Sequence, residues 1–233
     1  MSAAVAVGGI AKFPGIRAVA FDLDGTLVDS VHDIHAAVNR VRAEEGLADL
    51  PLPQVADLVG RGSEDLIHRI LAFDLPEAEV AARMAGCLER YLGHYRALNG
   101  TLSVLYPGVE EGLAAFRERG LRLAVVTNKW QELADDLLVR CGLRDYFDVV
   151  YGGDALPARK PDPLPLLQVC ADFAIAPGAL LMIGDSSNDA RAARAAGCPV
   201  LVLPYGYNHG QPVQSIDADG IVSSLSEAVE LIG

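Results

Sequence analysis

Basic runs are missing from this chain, whose 19 lysines and arginines are outnumbered by 31 aspartates and glutamates for a formal net charge of -12. A surface of that sign repels phosphate backbones and anionic lipid headgroups, which argues against nucleic acid or a membrane surface as partner. It repels anionic substrates too, so any phosphate site must bring its own local cations. Cysteine is equally scarce. The four thiols, Cys87, Cys141, Cys170 and Cys198, lie far apart and form no C-x-x-C pair, so neither a zinc site nor a disulfide framework is indicated and four core thiols are expected. No apolar stretch approaches the roughly 18 to 20 residues of a membrane span. Met1 to Gly15 lacks the charged start and long apolar middle of a secretion signal. The expectation is a cytoplasmic protein. An internal repeat and a low-complexity tract are also missing.

What the chain does have is apolar mass: 51% of its 233 residues are hydrophobic, enough for a sizeable core in one large domain or a domain with an insertion. Short apolar runs, Ala18 to Phe21, Leu121 to Val126, Val149 to Tyr151, Leu180 to Ile183 and Val200 to Leu203, alternate with helical patterns. Runs hydrophobic on both faces predict a parallel sheet covered by helices. One predicted helix follows Pro107 and stops at Gly120; another follows Ser187 and stops at Gly197, with Pro199 beyond. This is the pattern of a doubly wound α/β domain, which binds ligands at the carboxyl ends of its strands.

One gap breaks the alternation, since no strand pattern occurs from Val31 to Ser103. Ile34, Ala37, Val38 and Val41 fall at helical spacing there, as do Leu66, Ile67, Ile70 and Leu71, and then Met84, Cys87, Leu88, Tyr91, Leu92 and Tyr95. Three amphipathic helices are expected, their aromatic and methionine stripe serving as core, with loops at Pro51, Pro53 and Gly60 to Gly62. The predicted organisation is a core of residues 16–30 and 104–233, a helical insert of 31–103 and an N-terminal extension of 1–15. Hinges are expected near Asp29-Ser30 and Ser103-Tyr106.

Chemistry-bearing residues collect where the strands end. Phe21-Asp22-Leu23-Asp24-Gly25-Thr26 sets two carboxylates and a permissive glycine at the mouth of the sheet. A calcium loop is excluded, because Leu27 stands where an EF-hand needs glycine and a strand precedes the motif where a helix should. A solvated acidic turn is the plain alternative for an isolated D-x-D. The second run ends in Thr127-Asn128-Lys129, offering a hydroxyl and backbone N–H groups at a helix start, a suitable place for a phosphate oxygen. Lys160 precedes Pro161, Pro163 and Pro165 in a stiff loop after the third strand. The fourth ends in Gly184-Asp185-Ser186-Ser187-Asn188-Asp189, with one carboxylate at the strand tip and another in the first turn of a helix.

Asp22, Asp24, Asp185 and Asp189 cannot share one crevice uncompensated, so the pattern calls for a hard cation beside the Lys160 ammonium. An all-oxygen set with few protein ligands suits Mg²⁺. With its charge held by Mg²⁺ and Lys160, Asp22 is the expected nucleophile, forming an aspartyl phosphate. Asp24 is expected to protonate the leaving oxygen and later to deprotonate the attacking water.

The series D-x-D-G-T, T-N, K-P and G-D-x-x-x-D resembles the four-motif signature of the haloacid dehalogenase-like hydrolases, and the resemblance covers nearly the whole chain from about Ile16 onward. It implies a Rossmann-type core with a helical C1 cap inserted between the first and second motifs. It implies that Asp22 is the nucleophile and that Asp24 is the acid and base, its backbone carbonyl also binding Mg²⁺. It implies further that Asp185 and Asp189 hold the metal, that Thr127 and Asn128 meet the transferring phosphoryl group, and that Lys160 bridges Asp22 to that group. Dehalogenases of this family lack the second aspartate of the first motif, so Asp24 points to phosphoryl chemistry.

Within the family, Asp22 to Ser30, Gly60-Arg61-Gly62, Lys160 to Leu167 and Gly206-Tyr207-Asn208-His209-Gly210 resemble the phosphoglycolate phosphatase branch, which implies a small phosphate ester, 2-phosphoglycolate, as substrate. Arg61 departs from that branch, where asparagine is common. The substrate carboxylate needs a cation, and the insert offers Arg61, His68 and Arg69; Arg61, flanked by glycines that let its loop approach the core, is the expected one, with a solvated loop arginine as the alternative. A sugar phosphate phosphatase, a pyrophosphatase and a β-phosphoglucomutase-like isomerase stay open on the same scaffold. A phosphonatase is disfavoured, because no lysine lies between Val31 and Ser103. From another class, a receiver would carry its acceptor on the third strand, and a binding protein without turnover should have lost a motif residue. A monomer or a homodimer is expected.

Overall fold

The computed structural model of the protein describes residues 10–233, so Met1 to Gly9 of the expected extension lie outside the described residues. The chain begins with β1 (Ala18–Phe21) and β2 (Val28–Asp29), then runs through α1 (Val31–Glu44), α2 (Leu52–Ala56), α3 (Ser63–Ala72) and α4 (Glu77–Leu98). It returns through β3 (Val104–Leu105), α5 (Val109–Glu118), β4 (Arg122–Val126), α6 (Gln131–Arg140), β5 (Val149–Tyr151) and α7 (Leu164–Asp172). It closes with β6 (Leu180–Gly184), α8 (Ser187–Ala196), β7 (Val200–Val202), β8 (Gly220–Ile221) and α9 (Leu225–Glu230).

Six strands form one sheet in the order β5-β4-β1-β6-β7-β8, every neighbouring pair parallel. The fold is the α/β class expected, and five of its strands are the expected runs. The sixth, β8, is only two residues long and starts on glycine, too short to leave a periodic signal. Successive side chains alternate between faces. Val19 and Phe21 of β1, Leu123 and Val125 of β4, and Leu181 and Ile183 of β6 join one cluster with α5, α6 and α9. Ala18, Ala20, Ala124, Val126, Leu180 and Met182 join the opposite cluster with α7 and α8. With both faces covered the strand ends are the open surface left for chemistry, and the order of chain connections reverses at β1, between β4 and β6. Residues from the end of the expected extension pair with the C-terminus, Phe13 N–H donating to the Leu231 carbonyl at 2.7 Å.

Helices α1 to α4 bury their apolar stripes in a separate cluster that includes Ile34, Val38, Ile67, Leu71, Tyr91 and Tyr95, with Leu133 of α6 and the flanking Trp130 and Tyr207 added from the sheet side. Four helices stand where three were expected. The added one, α2, starts at Pro51 and Pro53, expected as loop; proline's fixed φ and missing N–H suit a first helical turn, where no donor is needed. The insert leaves and rejoins the sheet domain through the antiparallel pair β2 and β3. Asp33 in the first turn of α1, fully buried, binds this neck together by accepting from the backbone N–H groups of Gly100 and Leu102, both at 2.9 Å, and from the Thr101 hydroxyl at 2.9 Å.

Candidate active site

The chain turns sharply as it leaves β1. The backbone N–H groups of Thr26, Leu27 and Val28 all point back to the Leu23 carbonyl, which turns Asp22 toward the mouth of the sheet. Gly25 sits at φ +92°, and a Cβ there would collide with the Asp185 carboxylate, so glycine is what lets the β1 and β6 loops touch. Thr26 Oγ1 donates to Asp185 Oδ1 at 2.6 Å, and the Tyr207 backbone N–H donates to Asp185 Oδ2 at 2.6 Å. Asp189, in the first turn of α8, closes a capping box with Ser186, accepting from its N–H at 3.0 Å and its hydroxyl at 2.7 Å.

Lys160 joins the two strand ends. Its Nζ lies 2.9 Å from Asp22 Oδ1 and 2.6 Å from Asp189 Oδ1, with all three side chains buried. Burial by itself would raise the Asp189 carboxyl, but Lys160 and the Ser186 donors outweigh it and hold it below the ordinary range. Burial likewise opposes the Lys160 charge, and Asp189 and Asp22 more than restore it. Asp22 lacks that protection: burial pushes it up to about 7, against the pull of Lys160. Asp185 is raised as well, by burial and by the neighbouring Asp189 and Asp22.

These shifts describe a crevice short of positive charge. Oxygens of Asp22, Asp185 and Asp189 lie within 4.8 Å of one another, three carboxylates against one ammonium. Such a buried all-oxygen set fits a hard divalent cation, which supplies the missing charge. The sign of the pH dependence follows. Asp22 has a folded value of about 7 against an ordinary 3.8, so between those limits the folded chain holds more protons than the unfolded one and loses stability as pH rises. Asp189 is lowered and Lys160 raised, so their contributions fade only at the acid and alkaline extremes. In chelator the thermal midpoint is expected to be lower at pH 8 than at pH 5, and a divalent cation should raise it more at pH 8. A midpoint that climbs with pH in chelator would contradict this account.

Asp24 points away from that cluster. Its Oδ1 accepts from the Ser30 hydroxyl and lies 3.0 Å from Lys129 Nζ. Thr127 is buried at the end of β4, and its Oγ1 accepts from the Lys129 N–H at 3.2 Å. The Asn128 side-chain amide donates to the Lys160 carbonyl at 2.8 Å and to the Gly60 carbonyl at 2.9 Å, tying the β4 loop to the β5 loop and to the insert. Its N–H groups are thereby spent on backbone, and the Thr127 and Lys129 N–H groups are engaged as well, by the Tyr151 carbonyl at 2.9 Å and by Thr127 Oγ1, which leaves the Thr127 hydroxyl proton as a donor of this loop.

Helices α1, α3 and α4 cover the mouth, leaving a cavity of about 40 Å³ whose walls include Asp22, Asp24, Ser63, Tyr91, Tyr95 and Lys129. Arg61, the expected carboxylate ligand, is not among them. It is exposed and lines a surface groove with Arg159 and Arg191. The reason is the turn around it: Gly60 and Gly62 have φ of +107° and +92°, and this turn aims the Gly60 carbonyl inward, where Asn128 and Asn188 donate to it, and leaves the guanidinium outside. His68 pairs with Glu77 at 3.2 Å and Arg69 with Asp65 at 3.7 Å, away from the cavity.

Two groups at this site carried no expectation of a functional role from sequence. Lys129 adjoins Thr127 and Asn128, and its place at the end of a motif strand was the available signal. Tyr95 was read only as part of an apolar stripe. Tyr207, in the G-Y-N-H-G motif, receives the Val31 N–H at 3.2 Å and bonds to the Asp29 carboxylate, so this motif holds the neck of the insert as well as Asp185.

The family model described as haloacid dehalogenase-like hydrolase matches residues 19–203. A protein of Nitrosospira multiformis named phosphoglycolate phosphatase is 47% identical over 223 residues, which cover 93% of this chain and 96% of that one. One of the same name from Thiobacillus denitrificans is 44% identical over 217 residues, with 93% and 96% covered. Among solved structures, a predicted phosphoglycolate phosphatase from Haemophilus somnus is similar at a TM-score of 0.86 and 33% identity, over 93% of this chain and 98% of its own.

Proposed function

Because this chain belongs to the haloacid dehalogenase-like hydrolase family, we propose that it hydrolyses 2-phosphoglycolate to glycolate and phosphate through a phosphorylated Asp22. It is a phosphoric monoester hydrolase. The observation that carries the mechanism is the convergence of the β1 and β6 strand-end loops and the Lys160 loop on one point, with Lys160 Nζ between Asp22 at 2.9 Å and Asp189 at 2.6 Å. The substrate assignment rests on the relatives that bear the enzyme's name at more than 40% identity across nearly the full chain.

The substrate's phosphoryl group meets the Asp22 carboxylate, whose other partner, Lys160, screens the charge brought by the phosphate. The Thr127 hydroxyl donates to a non-bridging oxygen. Asp22 Oδ attacks phosphorus as the ester P–O bond breaks, and Asp24 gives its proton to the departing glycolate oxygen. Water then gives a proton to Asp24 and attacks phosphorus, releasing phosphate and restoring the Asp22 carboxylate. Mg²⁺, held by Asp22, Asp185, Asp189 and the Asp24 carbonyl, would neutralise phosphoryl charge. Residues 31–103 act as a cap that swings on the β2–β3 neck, near 29–30 and 103–106, and keeps bulk water from the phosphorylated aspartate.

A substrate panel with Mg²⁺ tests the assignment. We expect kcat/KM for 2-phosphoglycolate to exceed that for glucose 6-phosphate, β-glucose 1-phosphate and pyrophosphate by about 10²-fold or more, since a site built around a specific polar group rejects analogues that lack it. A preference for either sugar phosphate would overturn it.

A further inference from the structure

The proposed substrate is anionic at both ends, and Lys160 serves only the phosphoryl end. Among the described residues lining the cavity, the one cationic side chain is Lys129. It is 7% exposed, and a buried ammonium must have its charge and its three N–H groups satisfied. Two directions are taken. Lys129 Nζ donates to Asp24, at 3.0 and 3.4 Å from its two oxygens, and to the Tyr95 hydroxyl, and it lies 4.4 Å from the centre of the Tyr95 ring. Burial and the Asp24 carboxylate keep the Tyr95 phenol protonated, so Tyr95 offers Lys129 a neutral acceptor and keeps an O–H of its own to donate. The Lys129 N–H groups are shared among the two Asp24 oxygens and the Tyr95 hydroxyl, so the ammonium charge and the Tyr95 O–H are what this pair offers to a ligand, in a cavity otherwise walled by Ile34, Leu66 and Tyr91.

We propose that Lys129 and Tyr95 together receive the carboxylate of the substrate, making this pair the specificity element of the site; this rests on the phosphatase reading above. The spacing suits the shortest carboxylated leaving group. Asp24 must reach the ester oxygen, and Lys129 Nζ lies 3.0 Å from Asp24 Oδ1. In 2-phosphoglycolate a single CH₂ separates that ester oxygen from the carboxylate, so one end of the leaving group meets Asp24 while the other meets the ammonium beside it. Tyr95 belongs to the insert and Lys129 to the sheet domain, so the receptor is complete only when the insert covers the mouth.

Ethyl phosphate, which matches the substrate in length but lacks the carboxylate, supplies the comparison. In Lys129→Gln the ratio of kcat/KM for 2-phosphoglycolate to that for ethyl phosphate should fall about 10²-fold, chiefly through KM for the former, as expected when one partner of a buried charge pair is removed. In Tyr95→Phe the ratio should fall by about 3- to 10-fold, the scale of a single hydrogen bond. If Lys129 only positions Asp24, both substrates slow together and the ratio stays within about twofold of wild type, which overturns the proposal. Should Lys129→Gln not fold, Tyr95→Phe decides: an unchanged ratio there overturns it as well. The wild-type enzyme tests the parent reading separately, since indifference between the two esters before any substitution would overturn 2-phosphoglycolate as substrate.

Discussion

Replacing Asp22 with asparagine is expected to reduce Mg²⁺-dependent phosphate release by at least about 10⁴-fold, the scale of removing a nucleophile for which the remaining groups cannot substitute. The amide keeps the shape of the carboxylate but cannot attack phosphorus. Folding should survive, and there is a physical reason to expect more than survival. Asp22 is one of three carboxylates around a single ammonium, and burial drives its carboxyl up to about 7. Removing its charge relieves that repulsion, and Lys160 keeps Asp189 as partner at 2.6 Å. In chelator at pH 8 the variant's thermal midpoint should therefore equal or exceed that of wild type. The rate by phosphate release and the midpoint by calorimetry form one test; turnover above about 1% of wild type would remove Asp22 from the nucleophile's role.

Lys160→Met should produce a comparable loss of rate and the opposite effect on stability. Lys160 is 2% exposed, and its ammonium is the counter-charge that touches both Asp22 and Asp189. Methionine fills similar volume with no charge, leaving three buried carboxylates facing one another. Removing one partner of a buried ion pair costs about 3–5 kcal/mol, and that is the expected loss in urea denaturation with chelator present. The rate should fall by about 10³-fold or more, since the phosphate approaches a crevice with unscreened negative charge. Saturating Mg²⁺ should return part of the stability by supplying the missing charge, but little of the rate. A variant as stable as wild type in chelator would mean that the three carboxylates are not held together as described.

The two variants separate effects that a rate alone would merge, since both abolish turnover while one relieves charge repulsion and the other increases it. The contrast also bears on Arg61. The proposed chemistry depends on charge placed in the crevice, whereas Arg61 stands in a surface groove beside Arg159 and Arg191. In a chain of net charge -12 such a group still attracts anions from solution, but it does so from outside the cavity.

Much of this protein was legible in its amino-acid order. Apolar runs bounded by turn residues mark five of the six parallel strands, and the residues that follow those runs include every carboxylate and the lysine that meet in the crevice. Local spacing suffices there, because a strand end and the turn after it are built from adjacent residues, and a parallel sheet sets all such ends along one edge. Other features had no local signature. The two-residue β8 draws its place from pairing with β7, and α2 begins on prolines that read equally well as loop. The inward turn of the Gly60 carbonyl depends on donors from Asn128 and Asn188, far away in the chain.

Tertiary structure alone decided how the cavity is walled and which cation enters it. Lys129 and Tyr95 are 34 positions apart, on units that fold around separate apolar clusters, and they meet because the insert buries part of its core against Leu133. Sequence by itself determined the reacting edge of the sheet, since that chemistry rides on short-range geometry. The substrate-facing roof was left to long-range burial, where many weak apolar contacts summed over two units settle the position of each polar group between them.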